Sequence, residues 1–479
     1  MLLYETHCCL SSGYVIFFGY AMLDIIKTKK VILLLGDIVS LLTSLPAALI
    51  LAYGDDFDLG ILGAHLLPFL IIFFFILTLF YIIGLYDTRL FRSTTSMMSS
   101  IAAIHGAGLV FGMLFFYLTA ESWGLTPKTN LALVMAAGAT FVSLWRMIFQ
   151  RLLSYRLAIN VAIAGINQHA KELADIISAK PYMGYHLSAF ISTAPLLEKT
   201  AAVCGDKAVL WADQDITKNL IAAKIDTVIT AENPHLNPVL AQAFYECIPH
   251  KIQFLDLAQS YELLTGRIPI SYINQTWFLE NINEQKKAFY DKIKRMLDIM
   301  ASATILLVTI PFWPIIALAI KWESAGSVFY TQERVGQNEK LFNLVKFRSM
   351  IKDAEQGRAV WAQEKDPRIT KIGAILRKTH FDELPQMINI MKGDLSLVGP
   401  RPERIEFVRE LESQIPHYHI RHIIKPGFTG WAQVNFRYAR TPMDTYEKFQ
   451  YDLYYLKNRS FILDVAILLK TVNLLFRKG

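Results

Sequence analysis

Apolar residues along this chain fall into two kinds of run. Four nearly unbroken stretches lie at about 31–53, 62–86, 99–120 and 130–150. Each approaches the ~20 residues that a helix needs to cross a bilayer core. From 160 to 256 the apolar runs shorten to strand length: Asn160–Ala164, Val209–Ala212, Thr227–Thr230 and Ile252–Leu255. Amphipathic helical patterns such as Ala170–Ile177 separate them, which predicts a parallel α/β sheet. A fifth long stretch fills 296–320, and mixed polar sequence follows it. Near the end, Phe461–Phe476 sets Ile, Leu and Val beside Asp464, Lys470 and Asn473. That pattern suits an amphipathic helix, either at a membrane interface or packed in a core.

Charge gives the apolar runs a direction. Lys27, Lys29 and Lys30 precede the first stretch, and Asp55, Asp56 and Asp58 follow it. Arg89 and Arg92 separate the second and third; Arg146, Arg151 and Arg156 end the fourth. The loop between the third and fourth carries only Lys128. Positive loops face the cytoplasm, so both chain ends and everything after residue 150 are expected there. Residues 1–26 are apolar but interrupted by Ser11, Ser12 and Gly13, without the marks of a signal peptide. They read as an interfacial lead-in, or as an extension upstream of a start at Met22.

The fifth stretch differs from the others. Lys292, Lys294 and Arg295 stand before it and Lys321 after it, so both ends favour the same side. Pro311 and Pro314 remove backbone donors past its middle and bend a helix there. Thr309 is placed to help satisfy the carbonyls that such a bend frees. The pattern predicts a re-entrant membrane hairpin with its break at Pro311. An ordinary fifth span is the alternative, and it would put the rest of the chain outside the cell.

In the middle region, the first strand leads into Gly165-Ile-Asn-Gln-His-Ala170. A dinucleotide site wants three glycines in this turn. Only one is present, and Asn167 stands where a backbone would approach a pyrophosphate. A Rossmann-like domain with a structural or regulatory role is the expectation, with nucleotide binding as the alternative.

The 479 residues allow about three domains. Composition is 53% hydrophobic and 19% charged, which is low in charge for a soluble chain. A net charge of +7 fits an anionic substrate and an anionic membrane face. No nucleic-acid-binding motif is present, so nucleic acid is not an expected partner. The four cysteines, Cys8, Cys9, Cys204 and Cys247, have neither zinc-finger nor disulfide-framework spacing.

Candidate chemistry concentrates after residue 330. Gln332, Glu333, Arg334 and Gly336 come first, then Lys-Phe-Arg-Ser-Met at 346–350 and Asp366, Arg368 and Thr370. Arg377 leads to Asp-Glu-Leu-Pro-Gln at 382–386, then Val-Gly-Pro-Arg-Pro at 398–402. Arg421 and His422 precede Lys425 and Pro-Gly-Phe-Thr-Gly-Trp at 426–431. Two adjacent carboxylates flanked by cations point to chemistry on an anionic group, and beside a membrane that group is expected to be a phosphate. Adjacent helical residues point about 100° apart, so Asp382 and Glu383 can take different tasks. Thr379 reads as a helix start, which would put both carboxylates at a positive helix end and favour their ionised forms. His417, His419 and His422 offer nitrogen ligands of the kind zinc takes, but no neighbouring carboxylate or cysteine in the sequence completes a set.

Taken together, these motifs resemble the catalytic domain of the bacterial sugar transferases, the polyprenyl-phosphate sugar-1-phosphate transferases. With the N-terminal spans and the Rossmann-like insert, the chain is similar to the large members of that family. The resemblance implies a membrane protein of α and α/β class. It divides into a four-helix transmembrane segment (1–156), a Rossmann-like domain (157–275), a linker (276–290) and a mainly helical catalytic domain (291–479). It also implies Asp382 as the nucleophile on a sugar-bearing phosphate and Glu383 as a ligand of Mg²⁺. Arg377 and Arg401 would bind phosphate oxygens, which planar guanidinium groups grip in pairs. Lys346 and Arg348 join the same positive site, with Arg368, Arg421 and Lys425 as further candidates.

The implied reaction moves a sugar-1-phosphate from a nucleotide diphosphate sugar, with uridine as the family's nucleotide, to polyprenyl (undecaprenyl) phosphate. It would begin exopolysaccharide or O-antigen assembly at the bacterial inner membrane, and a homodimer is a further expectation of the resemblance. His380 and Arg437 depart from the small residues the family pattern has there. A nucleotide-sugar epimerase or dehydratase would need the intact fingerprint and a Tyr-x-x-x-Lys pair. A non-catalytic membrane scaffold that binds nucleotide sugars is the remaining alternative.

Overall fold

The computed structural model describes residues 11–86, 94–123, 128–155, 158–179, 184–192, 204–212, 215–231, 238–250, 252–282, 284–351, 366–436 and 442–476. The chain divides into two compact units, 1–265 and 266–479.

The first unit opens with four long helices: α1 (Ser11–Tyr53), α2 (Leu59–Ile83), α3 (Thr94–Trp123) and α4 (Lys128–Tyr155). Asp58 caps α2, its Oδ1 accepting from Ile61 N at 2.6 Å, and Gly84 ends it in the left-handed conformation. Their shared core is built from Leu41, Phe69, Ile72, Ile76, Phe80, Ile101, Leu131 and Val134. Leu51, Leu59, Phe74, Val110, Tyr117 and Leu118 are turned outward. Apolar side chains on both the inner and outer faces mark helices that are solvated by lipid rather than water.

Helix α1 runs from Ser11, so Ser11, Ser12 and Gly13 break the apolar pattern but not the helix. One sequence expectation changes here: Arg146 does not act as a flanking charge. It lies inside α4, buried, with Nε and Nη2 on the two oxygens of Asp37 (3.1 and 2.6 Å) and Nη1 on Leu85 O (2.9 Å). Arg89, Arg92 and Arg156 lie outside the described residues, as do the side chains of Lys27, Lys29 and Lys128.

The same unit contains a five-stranded parallel sheet: β1 (Ile159–Ala164), β2 (Tyr185–Ser192), β3 (Ala208–Trp211), β4 (Thr227–Thr230) and β5 (Gln253–Asp256). Its spatial order is β3-β2-β1-β4-β5, the doubly wound arrangement with β1 central. Helices α5 (Gln168–Ala179), α6 (Ile216–Ala222), α7 (Pro238–Cys247) and α8 (Leu257–Thr265) connect or follow the strands. Asn167 fills the turn after β1: Oδ1 accepts from Ala170 N (2.9 Å) and Nδ2 donates to Ala231 O (3.0 Å).

The second unit begins earlier than the sequence division at 275. Ile268 N bonds Gln450 O, Trp431 Nε1 bonds Gly266 O, and Arg267 pairs with Glu447. Residues 276–282 and 284–290 are structured too: α9 (Gln275–Asn281) sets Phe278 against His417. Helix α10 (Ala288–Thr309) then passes through a 3₁₀ turn at Ile310–Phe312 into α11 (Trp313–Glu323). Pro311 sits in that turn. The Thr309 hydroxyl donates to Ile305 O at 2.8 Å, two residues before Leu307 O, the carbonyl that the missing Pro311 N–H leaves open.

Both flanks of this apolar element bond to one body. At its start, Lys294 pairs with Asp464, Arg295 donates to Ile390 O and Met391 O, and Asp298 accepts from Leu397 N. At its end, the Glu323 carboxylate accepts from Lys371 N and Ile372 N, and Arg348 holds Ser324 O and Ala325 O. Between the flanks, Leu307, Val308, Phe312, Ile315 and Leu318 are exposed.

Strands β6 (Phe329–Val335) and β7 (Leu341–Phe347) form an antiparallel hairpin. Then follow α12 (Lys371–Thr379), α13 (Gln386–Lys392), β8 (Ser396–Val398), α14 (Ile405–Gln414), β9 (Gly427–Thr429), α15 (Trp431–Asn435), α16 (Pro442–Asn458) and α17 (Phe461–Phe476). On α17, Ile462, Val465, Leu468 and Val472 form an exposed apolar stripe, while Asp464 and Ile467 are buried.

By length and composition, five described helical elements suffice to cross a membrane, four in the first unit and the α10–α11 element in the second. The protein is a membrane protein that combines apolar helices with a parallel sheet.

Candidate active site

The carboxylate pair sits on a turn fixed from both sides. Thr370 caps α12 by accepting from Gly373 N at 2.9 Å. The helix ends at Thr379, so Thr379 closes a helix where the sequence suggested a start; its hydroxyl donates to Ile375 O and Leu376 O. His380 then reverses the chain with φ 57°, a left-handed conformation that costs a non-glycine residue ~1–2 kcal/mol. A single 3₁₀ turn, Phe381–Glu383, presents both acids. Behind it Asn389 staples α13 to β7: Nδ2 donates to Asn343 O (2.7 Å) and Oδ1 accepts from Val345 N (3.0 Å). Successive residues of a 3₁₀ turn point ~120° apart, so the two carboxylates diverge.

Their surroundings differ accordingly. Glu383 Oε1 accepts from Lys346 Nζ at 2.8 Å and from Arg401 Nη2 at 2.9 Å. Burial pushes its carboxyl up, but the two cations outweigh burial and hold it well below the usual carboxylate range. Lys346 is itself pushed down, chiefly by burial. Asp382 is 8% exposed and makes no hydrogen bond or ion pair among the described residues. Burial, then the neighbouring Glu383 charge, push its carboxyl up against the pull of Lys346, Arg377 and His380. The helix-end expectation fails at its premise, because the dyad follows the C-terminal end of α12. Glu383 is held ionised by its two cations, and Asp382 is pushed toward its protonated form.

Arg401 is placed by backbone contact. Gly399 N donates to Thr429 O and Gly427 N to Pro400 O, both at 2.8 Å. A Cβ on Gly399 would lie 2.5 Å from Lys425 O, and one on Gly427 would lie 2.0 Å from Gly399 N. These glycines, one from each motif, let two loops cross at contact distance. Arg421 is 3% exposed and holds the arrangement from beneath. It donates Nη2 to Arg401 O and Asp452 Oδ2 (both 2.9 Å) and Nη1 to Tyr418 OH (2.7 Å).

The remaining candidates are engaged elsewhere. Arg377 donates Nε to Ser349 Oγ at 2.8 Å, leaving its two terminal nitrogens without a hydrogen bond among the described residues. Arg348 is committed to the carbonyls after α11. Arg368 grips Asp366 with two nitrogens, at 2.8 and 2.6 Å. Lys425 lies among Arg295, Asp298 and Asp394; burial, then Arg295, push it down. The structure thus brings Lys346, Arg377 and Arg401 to the dyad and sets Arg421 behind it. It does not place Arg348, Arg368 or Lys425 on the dyad. Arg437 lies outside the described residues.

A family model of the bacterial sugar transferases matches residues 289–478. The chain is 41% identical over 227 residues to a UDP-N-acetylgalactosamine-undecaprenyl-phosphate N-acetylgalactosaminephosphotransferase of Aeromonas hydrophila, covering 47% of this chain and 53% of that one. It is 43% identical over 188 residues to the exopolysaccharide production protein PSS of Rhizobium leguminosarum, covering 38% of this chain and 93% of the relative. The chain belongs to the bacterial sugar transferase family. A longer match, 31% identity over 328 residues, joins it to a UDP-glucose:undecaprenyl-phosphate glucose-1-phosphate transferase of Xanthomonas campestris, covering 65% of each chain. The chain therefore spans about half of the Aeromonas relative and about two thirds of the Xanthomonas one.

In this sugar transferase, several supporting residues were not singled out by the sequence. Ser349, inside the Lys-Phe-Arg-Ser-Met motif, holds Arg377, and Asn389 pins the turn. Asp452 bonds the guanidinium of Arg421, and Glu403 pairs with Arg334 and Lys448. The available cue was residue type for two of them, since Asn389 and Asp452 sit among apolar neighbours, while Glu403 directly follows the Val-Gly-Pro-Arg-Pro motif.

Proposed function

We propose that the protein transfers a sugar-1-phosphate from a UDP-sugar to undecaprenyl phosphate through an aspartyl-phosphosugar intermediate. An Asp382 oxygen attacks the phosphorus that bears the sugar. The P–O bond to the nucleotide phosphate breaks, and the nucleoside monophosphate leaves with the bridging oxygen. A phosphate oxygen of the lipid then attacks the same phosphorus and displaces the Asp382 carboxylate, giving a lipid-linked diphosphosugar. Phosphoryl transfer asks chiefly for positioning and charge neutralisation. Arg377 and Arg401 bind phosphate oxygens, Lys346 adds positive charge, and Arg421 positions the Arg401 loop.

One observation carries this reading. Of two adjacent buried carboxylates, Glu383 is saturated by cations on one oxygen, while Asp382 is bare and faces the same positive cluster. A solvated helix end would give both acids the same fate. The donor set also fits Mg²⁺, a hard ion that takes one or two carboxylates together with substrate phosphates. Glu383 Oε2 has no partner among the described residues, and Asp382 lies beside it. When bound there, Mg²⁺ supplies charge neutralisation at the diphosphate.

The membrane arrangement belongs to the same proposal. Helices α1–α4 form a four-helix transmembrane bundle of the bacterial inner membrane, with the sheet domain and catalytic domain cytoplasmic. The α10–α11 element enters and leaves on one side as a re-entrant helix. Its support is that both flanks bond to one body while the middle exposes Leu307, Val308 and Phe312. The apolar stripe of α17 lies along the interface. A lipid phosphate confined to the interface is thereby met by the site, and the product would feed exopolysaccharide or O-antigen-type assembly.

The test offers a panel of UDP-sugars to purified protein with Mg²⁺ and undecaprenyl phosphate, beside Asp382→Asn. Nucleoside monophosphate release with a particular sugar, lost in the variant, is expected. Folded protein that releases none with any sugar would overturn the transfer and favour a scaffold that only binds nucleotide sugars.

A further inference from the structure

We propose that Glu339, Glu412 and His422 form a site for a divalent transition-metal ion, apart from the carboxylate dyad. The three come from distant parts of the sequence. Glu339 ends the short 3₁₀ turn at the tip of the β6–β7 hairpin, Glu412 lies on α14, and His422 lies in the 3₁₀ segment Tyr418–Ile423. One ligand atom from each lies within 4.8 Å of the other two. The sequence offered His417, His419 and His422 with no carboxylate nearby, and the fold supplies two.

Two observations besides proximity point to a bound cation. His422 is 6% exposed, and neither of its ring nitrogens has a hydrogen-bond partner among the described residues. A buried polar atom without a partner is costly, and a metal bond at one nitrogen removes part of that cost. Glu339 and Glu412 converge on the imidazole with no ion pair or hydrogen bond among the described residues. Two carboxylates drawn together without a cation repel each other, and an ion between them reverses the sign.

The donor set selects the ion. Mg²⁺ and Ca²⁺ take oxygen ligands, whereas an imidazole with two carboxylates suits Zn²⁺ or Mn²⁺. Both glutamates are exposed and can close on the fixed imidazole. The hairpin tip is already joined to the histidine segment, because Gln337 Nε2 donates to Ile423 O at 3.0 Å. The neighbouring Arg421 bonds Arg401 O, so an ion held here clips together the segments that support the Arg401 loop.

The test uses the full chain in detergent, stripped with a chelator and returned to excess Mg²⁺, so that the dyad region is not the competing site. Zn²⁺ is added, then Mn²⁺ in a second series; retained metal per chain and thermal unfolding are measured. We expect ~1 equivalent of one of these ions and a raised Tm in the parent protein. Affinity should fall at least about tenfold in Glu339→Gln/Glu412→Gln, whose positions are exposed, and in His422→Gln. The exposed His419→Ala should retain the ion. Equal retention in the parent and the double glutamine variant, loss of the ion in His419→Ala, or no retained ion from either series would overturn the site.

Discussion

Two of the carboxylate–guanidinium clusters in this chain, one at Arg146 and one at Arg401, are built to opposite ends. In the N-terminal helices Asp37 and Arg146 are 0% and 1% exposed, with both carboxylate oxygens and three guanidinium nitrogens bonded. In the C-terminal unit Glu383 gives one oxygen to two cations, and its partner Arg401 keeps a side chain that is 39% exposed. Buried, and with Arg146 on each oxygen, the first carboxylate is closed to a ligand. The second leaves open Glu383 Oε2, the Asp382 carboxylate and two nitrogens of Arg377. A closed pair fixes a helix packing, whereas an unsaturated one is poised to bind an anion.

The same substitution should therefore do different things in the two places. Arg146→Met strands a buried carboxylate among apolar helices. Removing one partner of a buried pair costs about 3–5 kcal/mol, and the loss should appear as a large fall in Tm of the detergent-solubilised protein. Restoration by Asp37→Leu on top of it would sharpen the assignment; an unchanged Tm in the single variant would break it. Arg401→Met should leave stability within about 1 kcal/mol, because its partner retains Lys346 and the side chain is part-exposed. Turnover should fall about 10²–10³-fold, the usual effect of deleting one preorganised donor to a charged transition state. Full turnover in Arg401→Met would remove that residue from the phosphate site.

Gly399→Ala probes the frame that presents Arg401. The new methyl meets Lys425 O and Gly427 N closer than any Cβ is found to pack. Overpacking of this kind costs about 1–3 kcal/mol, and the displaced loop should lower turnover as well. Thermal unfolding and kcat measured together separate the two effects. A loss of turnover with unchanged Tm would mean that the loop yields rather than the fold.

Long periodic segments were legible in the sequence because burial in lipid and in a sheet core imposes their pattern. The four N-terminal stretches fall on α1–α4, although α1 begins well before residue 31, at Ser11, and four of the five strands matched within about a residue. Strand β2 was missed because His186 and Ser188 interrupt its apolar run. Arg146 misled because charge in a sequence does not reveal whether it faces a loop or a buried aspartate at a separation of 109 positions. In the site, motif residues stood out by type, but their grouping depended on loop crossings. Arg348 and Arg368 look like site cations, yet a carbonyl pair and Asp366 had already claimed them. Glu339 and Glu412 joined His422 through tertiary contacts that no local spacing encodes.

His380 marks where the two clusters differ most finely. The closed pair sits on relaxed helix, while the open site follows a residue held at φ 57°, and strained backbone of this kind collects at functional positions. His380→Gly should raise stability by about 0.5–1 kcal/mol, since glycine accepts this conformation freely. The same change removes a positive neighbour that lowers the Asp382 pKa, so that pKa rises further. In the proposed transfer Asp382 attacks in its ionised form, so activity is expected to be lost as pH falls through its folded pKa. The acid limb of the pH–rate profile should therefore move upward in His380→Gly. The stability linkage runs the other way: with a raised folded pKa, protonated Asp382 favours the folded state below its unfolded pKa, and that contribution disappears as pH rises. A more stable variant with its acid limb moved up would tie the strained turn to the tuning of Asp382. An unmoved limb would leave His380 a purely structural cap.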